Sequence, residues 1–545
     1  MAFFDLSNPH LFIGIIISVV NAIVLCFEGY KFLQIIQLSG YHLRGYFDWL
    51  KDTRGKYVVR LLSLSVLSLA CLLVTNVIFR PYEDYLSYLG LIFYFGLSLF
   101  FILKVYHTPK KTPLKMTNRM NRSIIVLFMF NLIVSFGFIA ISSEFVPFLR
   151  FSAITLTPLT LLLTVPFAHF VLKPVEKAIN WDYIHRAKNV LSKREDLIRI
   201  GITGSYGKTS VKNFLTAILS EKYSVCATPL NFNTPMGITK TVLEFLSPSH
   251  QVLIAEMGAR QVGDIKELCE IVKPTYGILT SVGEQHLATF LSLENIKRTK
   301  SELPNYLSQN GGLCVFDGDN ENSLKIFEKS ECKKDFVSLE NQDGICYATN
   351  IKQTKTGTNF TVVIKNVGKI DCKTKLFGLH NVKNVLLAVS IAAKLGMTKE
   401  EIENGLNRIL PVEHRLQLIN AENNVLILDD TYNASIEGSA RALEVLRNFD
   451  GYRKIVITPG LVELGTMERL ANYRLGQNIA KVAELVIIVN KTHYPAIKEG
   501  LLDENFDEKN ILSAENLEQT KQILKDILKP KDIILWENDL PDNYR

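Results

Sequence analysis

Apolar residues follow two different patterns along the 545-residue chain. Up to about residue 172 they come in long, nearly unbroken runs, at roughly 11–27, 61–79, 86–103, 123–142 and 151–172. A bilayer core takes about 20 apolar helical residues, and each run comes close, which predicts a region of about five transmembrane helices. Pro158 and Pro166 are expected to kink the fifth run or split it into a re-entrant segment. The first run reads as retained, because residues 1–10 lack a basic n-region and no small-x-small site precedes Glu28-Gly29-Tyr30. Beyond Lys173 apolar and polar positions alternate as in an ordinary globular protein. In the last part, strand patterns at Val425–Leu428, Lys454–Thr458, Leu485–Val489 and Ile533–Trp536 alternate with helical ones, predicting a small doubly wound α/β domain.

Charge orients the apolar runs. The first connection carries Lys31, Arg44, Lys51, Arg54, Lys56 and Arg60, and the third carries Lys104, Lys110, Lys111, Lys115, Arg119 and Arg122. The second and fourth hold only Arg80 and Arg150, beside Glu83, Asp84 and Glu144. Positive-inside reasoning puts the first and third loops in the cytoplasm and the N-terminus outside. Everything after Lys173 then lies on the cytoplasmic side of the cell membrane, where ATP is available. The net charge of +7 sits largely in these loops, so it orients a membrane protein and is not a nucleic-acid footprint. Hydrophobic content of 48% and a mean hydropathy of +0.15 average over the two patterns. The eight cysteines are scattered without a C-x-x-C pair, as free thiols of a cytosolic protein would be.

A strand-like run, Leu197 to Ile202, leads into Thr203-Gly204-Ser205-Tyr206-Gly207-Lys208-Thr209-Ser210, and a helical pattern follows from Val211 to about Leu219. Strand, glycine turn, Gly-Lys-Thr and helix is the context of a phosphate loop. Its backbone N–H groups cradle phosphates, Lys208 reaches the β- and γ-phosphates, and a hydroxyl of Thr209 or Ser210 meets Mg²⁺. The general pattern G-x-x-x-x-G-K-[ST] is not matched, since Ile202 stands five before Gly207.

The form T-G-[ST]-x-G-K-[ST] resembles the loop of the Mur ligases, and five further motifs follow in that family's order. They are Thr228-Pro229-Leu230-Asn231-Phe232-Asn233-Thr234-Pro235-Met236-Gly237, the strand ending Glu256-Met257-Gly258-Ala259, Thr280-Ser281-Val282-Gly283-Glu284-Gln285-His286-Leu287, Gly378-Leu379-His380-Asn381-Val382-Lys383-Asn384, and Asp429-Asp430-Thr431-Tyr432-Asn433-Ala434. A sixth, Thr299-Lys300-Ser301-Glu302, lies between the third and the fourth of these and resembles the family's A-K-[GS]-E helix. The last of the five resembles the D-Ala-D-Ala-adding branch.

This resemblance implies roles. Glu256 and His286 would hold Mg²⁺ near the γ-phosphate, with Thr209, and Lys300 would be carbamylated by CO₂ to ligate a second Mg²⁺. Gly204, Ser205, Gly207, Lys208, Thr209 and Ser210 would cradle the ATP phosphates. Asn381 and Asn384, three apart on one face of a predicted helix from Val382 to about Leu395, would lie near adenine. Arg415, in Glu413-His414-Arg415-Leu416-Gln417, would reach the phosphates, with His414 where glycine is usual. Asp430 would hold the ribose, flanked by Tyr432 and Asn433. Lys208, Lys300, His286 and Arg415 are therefore the expected catalytic set. Two motifs depart from the family: Asn472 stands where a histidine is expected, and Glu537-Asn538-Asp539 where K-G-S would follow the last strand.

The implied organisation is a membrane region at 1–172, a charged helical linker at 173–196, a P-loop central ATP-binding domain at 197–408 and a C-terminal α/β domain at 409–545. The implied reaction is ATP-dependent amide-bond formation through an acyl phosphate, adding D-Ala-D-Ala to a UDP-MurNAc-tripeptide in peptidoglycan precursor synthesis. Only about two dozen residues separate the last apolar run from the phosphate loop, too few for a separate uridine-binding domain. A lipid-linked muropeptide or another membrane-borne carboxylate is therefore the alternative acceptor. A non-catalytic ATP-binding scaffold should have lost Lys300, His286 or Glu256, and all three are present.

Overall fold

Without water, a backbone satisfies its own hydrogen bonds best as helix, and the N-terminal part of this computed structural model consists of helices. They are Pro9–Glu28, Tyr30–Leu38, Leu43–Asp52, Lys56–Ile78, Glu83–Tyr106, Asn118–Phe145 and Thr157–Ser192. The structure describes residues 9–53, 55–78, 83–107, 112–145, 152–285, 287–432, 435–462, 464–489 and 491–538. The chain divides after Ile179 into two compact units. Among the described residues four helices are long and apolar enough to cross a membrane, and a fifth span is obtained if Phe12–Glu28 and Tyr30–Leu38, bent by 44°, count as one. The last apolar run does not split. Pro158 lies in the first turn of the helix Thr157–Ser192, where no N–H is missed, and Pro166 and Pro174 are carried inside it.

The first unit has an apolar core, with Leu25, Phe32 and Leu127 in it, but also exposes many apolar side chains and buries several polar ones. Phe12, Ile92, Leu163 and Phe170 are exposed, while Asn21, Tyr94, Ser135 and Thr157 are buried. Asn21 Nδ2 donates to Ser135 Oγ and Thr157 Oγ1, both at 2.9 Å, and the Tyr94 hydroxyl donates to Asn21 Oδ1 at 2.8 Å. So much exposed apolar surface, around a core that includes these paired polar groups, is compatible with helices that lie in a membrane.

The second unit is built on two sheets. The first holds β1 (Ile198–Thr203), β2 (Val225–Ala227), β3 (Val252–Glu256), β4 (Tyr276–Leu279), β5 (Leu313–Asp317), β6 (Lys333–Ser338), β7 (Cys346–Thr354), β8 (Gly357–Ile364) and β9 (Gly368–Thr374), in the order β2-β3-β1-β4-β5-β6-β7-β8-β9. Strands β1 to β6 pair in parallel, and every residue of β3 is buried. Burial on both faces is why these strands read as unbroken apolar runs. On one face Val211, Phe214 and Leu215 of helix Lys208–Leu219 pack with Val385, Leu386 and Val389 of helix Leu379–Lys394; on the other, Ile265 and Leu268 pack with Leu303 and Leu307. The antiparallel ladder β7-β8-β9 extends the sheet.

The second sheet holds β10 (Gln417–Asn420), β11 (Leu426–Asp430), β12 (Arg453–Thr458), β13 (Leu485–Val489), β14 (Ile511–Ala514) and β15 (Asp532–Glu537), ordered β10-β11-β15-β12-β13-β14. All pairs but β10·β11 are parallel. The expected doubly wound domain is present, with β10 and β14 added at its edges.

Candidate functional site

The site begins where β1 ends. Gly204 and Gly207 have φ of +147° and +83°, in the region that L side chains rarely adopt. A Cβ would lie 1.9 Å from Thr280 Oγ1 at the first and 2.5 Å from Asn384 Oδ1 at the second. The turn is held from below: Ser205 N and Tyr206 N donate to Ser281 O at 2.8 and 3.2 Å, and Thr280 Oγ1 donates to Tyr206 O at 2.6 Å. Helix Lys208–Leu219 starts directly after Gly207, so its first N–H groups open onto the turn.

Around this turn the structure gathers most of the expected residues. Lys208 Nζ donates to Gly204 O and Ser205 O, both at 2.8 Å. Burial lowers its ammonium to about 8, and nearby Glu256 opposes that shift. Thr209 Oγ1 donates to Glu256 Oε1 at 3.2 Å and receives Arg415 Nη2 at 3.4 Å. Burial works to raise the Glu256 carboxyl, but Lys212 and Lys208 outweigh it and hold the group below its ordinary value. Lys300 is buried, with Nζ 3.5 Å from Thr203 Oγ1. Burial, reinforced by the charge of Lys208, holds it well below an ordinary lysine.

Arg415 links the two sheets of this unit. Its guanidinium lies 4.3 Å over the Tyr432 ring, and among the described residues its buried Nε has no hydrogen-bond partner. His414, where a glycine was expected, has φ of +60°, the conformation glycine would adopt without strain; its Nδ1 lies 2.8 Å from Asp429 Oδ2. Asp430 Oδ1 accepts from Leu416 N at 3.1 Å, and burial raises its carboxyl to about 6. Asn381 and Asn384 are buried and bonded to each other at 3.3 Å. Ser210, Phe214, Phe377, Asn381, Arg415 and Leu416 line one cleft. His286 and Asn433 lie outside the described residues.

Three residues of the site were not singled out from sequence. Lys212, buried one turn after Lys208, places Nζ 3.2 Å from Glu256 Oε2 and donates to Leu230 O at 2.6 Å. The i, i+4 spacing from Lys208 was the available signal. Asn233 Nδ2 donates to Glu256 Oε1 at 3.1 Å, and Thr228 Oγ1 accepts from Glu256 N at 3.1 Å. Asn472, in the place of the expected histidine, closes the loop after β12: its Oδ1 accepts from Leu461 N at 2.8 Å and its Nδ2 donates to Leu461 O at 2.9 Å.

Residues 202–392 match the model of the Mur ligase middle domain, and 414–537 that of the Mur ligase, glutamate ligase domain. A protein of Escherichia coli (strain K12) named UDP-N-acetylmuramoyl-tripeptide--D-alanyl-D-alanine ligase is 31% identical over 316 residues, 57% of this chain and 69% of that one. This chain belongs to the Mur ligase family. The Bacillus subtilis (strain 168) protein of the same name is 28% identical over 343 residues, 62% of this chain and 72% of its own. Among solved structures, MurF ligase from Thermotoga maritima in complex with ADP superposes with a TM-score of 0.59 at 25% identity, covering 66% of this chain and 80% of that one. The chain is thus an ATP-dependent Mur ligase, whose family matches begin at residue 202, after the helical part.

Proposed function

We propose that this Mur ligase joins D-Ala-D-Ala to the free carboxylate of a UDP-MurNAc-tripeptide, at the cytoplasmic face of a membrane that holds residues 1–172. The observation that carries the reading is the convergence of Lys208, Thr209, Glu256, Lys300 and Arg415 on one glycine turn. Relatives that bear the name of this reaction support it. In this reading 173–196 is a linker, and 197–408 and 409–545 are the two ligase domains.

The residues fit a nucleotide triphosphate. Lys208 Nζ is held by two loop carbonyls that phosphate oxygens would replace, and Arg415 Nε is buried without a partner among the described residues. The amides from Gly204 to Ser210 cradle the phosphates, Asn381 and Asn384 face the adenine, and Asp430, flanked by Tyr432 and Asn433, holds the ribose. Among the described residues no three His, Cys, Asp or Glu side chains converge on a metal site. Mg²⁺ is usually held by one or two carboxylates plus substrate phosphates, which fits Thr209, Glu256, His286 and a carbamate on Lys300. Bound there, Mg²⁺ would neutralise charge on the transferring phosphoryl group. Lys300 suits carbamylation because burial disfavours its charged ammonium and so favours the free amine that CO₂ needs. The free amine adds to the carbon of CO₂, forms the N–C bond and loses a proton to water.

In the reaction an acceptor carboxylate oxygen bonds to the γ-phosphorus of ATP as ADP leaves, giving an acyl phosphate. The amine of the donor then bonds to the acyl carbon, phosphate leaves and the nitrogen gives up its extra proton. Lys208, Arg415 and the loop amides lower the barrier by offsetting charge as it moves between these groups. The apolar helices and the basic loops Lys51–Arg60 and Lys110–Arg122 favour one second reading, a lipid-linked muropeptide as acceptor. Inverted membrane vesicles carrying the full chain should consume added ATP, D-Ala-D-Ala and UDP-MurNAc-tripeptide, and right-side-out vesicles should not. Turnover of a lipid-linked tripeptide with none of the nucleotide-linked one would install the second reading, and activity in right-side-out vesicles would reverse the orientation.

A further inference from the structure

The carboxyl ends of three neighbouring parallel strands, β11, β15 and β12, meet beside the nucleotide site. Asp430 of β11 and Glu537 of β15 are register partners, so their side chains leave the sheet on the same face. Glu537 is fully buried, and among the described residues neither of its carboxyl oxygens has a partner in good hydrogen-bond geometry. The groups facing it are the hydroxyl of Thr458 at the end of β12, the hydroxyl of Ser439 from helix Ile436–Arg447, and Asp430. Among the described residues Ser439 Oγ likewise has no partner in good hydrogen-bond geometry, and Thr458 Oγ1 already accepts from Gly460 N at 3.1 Å. No cation is among the groups that act on Glu537.

Two carboxyl groups side by side without a cation between them do not both ionise. Asp430 has compensation, from the positive charge of Arg415 and from Leu416 N, which donates to Oδ1 at 3.1 Å. Its other charged neighbour, Asp429, is engaged by His414 and Thr431. Glu537 has no cation beside it; only the hydroxyls of Ser439 and Thr458 favour its charged form, and burial outweighs them. Burial first, then the nearness of Asp430, push its carboxyl up to about 8. The strand end is also fixed: Asn538 N donates to Asp430 O at 3.2 Å, and Asn538 Nδ2 to Gly460 O at 3.0 Å. Glu537 stands where the family resemblance would place the lysine of K-G-S.

We propose that Glu537 is a positioning residue of the nucleotide site, a neutral carboxylic acid that leaves the single negative charge of the pair on Asp430. This rests on the reading of Asp430 as the ribose ligand. Above neutrality Glu537 loses its proton, a second charge appears beside Asp430, and the nucleotide is held less well.

The test is equilibrium binding of a fluorescent N-methylanthraniloyl ADP to the full chain and to Glu537→Gln, between pH 7 and 9. Lys208 titrates in the same window in both proteins, so the quantity compared is the ratio of their affinities. The wild type should weaken about tenfold relative to Glu537→Gln over that range, the change expected for one coupled proton across about one pH unit above its pKa. A pH-independent ratio overturns the inference and leaves the nucleotide site standing; a wild type that binds no nucleotide at any pH overturns both. Melting temperature gives a reading that a merely space-filling role would not move. Folded Glu537 keeps a proton that the unfolded chain releases, so the wild type should lose stability relative to Glu537→Gln as pH rises from 5 to 8. A constant difference also overturns the proposal. If Glu537→Gln does not accumulate, Glu537→Met, equally uncharged, should give the same ratio.

Discussion

Replacing Lys208 by alanine lowers ATP turnover by about a thousandfold, the upper range for removing a charge-stabilising donor from a reaction centre. The protein still inserts and folds. Among the described residues Lys208 Nζ bonds to two carbonyls of its own loop, and the turn is independently held by Ser281 and Thr280. Losing two such bonds at a partly exposed side chain costs about 1–2 kcal/mol. The effect therefore belongs to catalysis, read as ADP release at saturating substrates beside a melting curve. Near-normal ligation by Lys208→Ala would remove the phosphate loop from the chemistry.

The second large effect is at Lys300. Lys300→Ala is expected to lose about a hundredfold or more in kcat, the loss typical of an electrostatic group at a reaction centre. Part of the activity should return when formate or acetate is supplied. Alanine vacates a buried site beside Thr203 that, in this account, an anion occupies. A small carboxylate restores the anion without restoring the lysine. Rescue by short carboxylates that fails with chloride at equal ionic strength identifies a carbamate, because a plain ammonium would need a cation or an amine. Full activity of Lys300→Ala without any additive would contradict it.

What could be read from the chain divides by range. The phosphate turn, the buried strands and the first four apolar helices depend on residues close together in sequence and lie within a few residues of their expected positions, whereas the fifth run, expected at 151–172, belongs to one helix from Thr157 to Ser192. The helix expected from Val382 runs from Leu379, because Gly378, with φ of +83°, starts it earlier. Strands β10 and β14 were missed because each has only four residues and they are partly exposed at the sheet edges. The ladder β7-β8-β9 alternates polar with apolar residues and lies outside the phosphate-site motifs. Contacts made across the fold left no local trace. Lys212 reads as a solvated lysine until β3 places Glu256 against it. Glu537 reads as a departure from a motif until β11 sets Asp430 beside it. His414 likewise reads as a substitution, and the backbone explains why glycine is usual there.

The test of the whole account is the path of one oxygen atom. Full-length protein is given ATP, D-Ala-D-Ala and UDP-MurNAc-tripeptide whose terminal carboxylate carries ¹⁸O, and the phosphate released is weighed by mass spectrometry. An acyl phosphate requires that one carboxylate oxygen depart with phosphorus, so each phosphate should carry one ¹⁸O, in step with the amide formed. Unlabelled phosphate, or phosphate released without amide product, would mean that water and not the acceptor attacks ATP, and the ligase mechanism would be wrong.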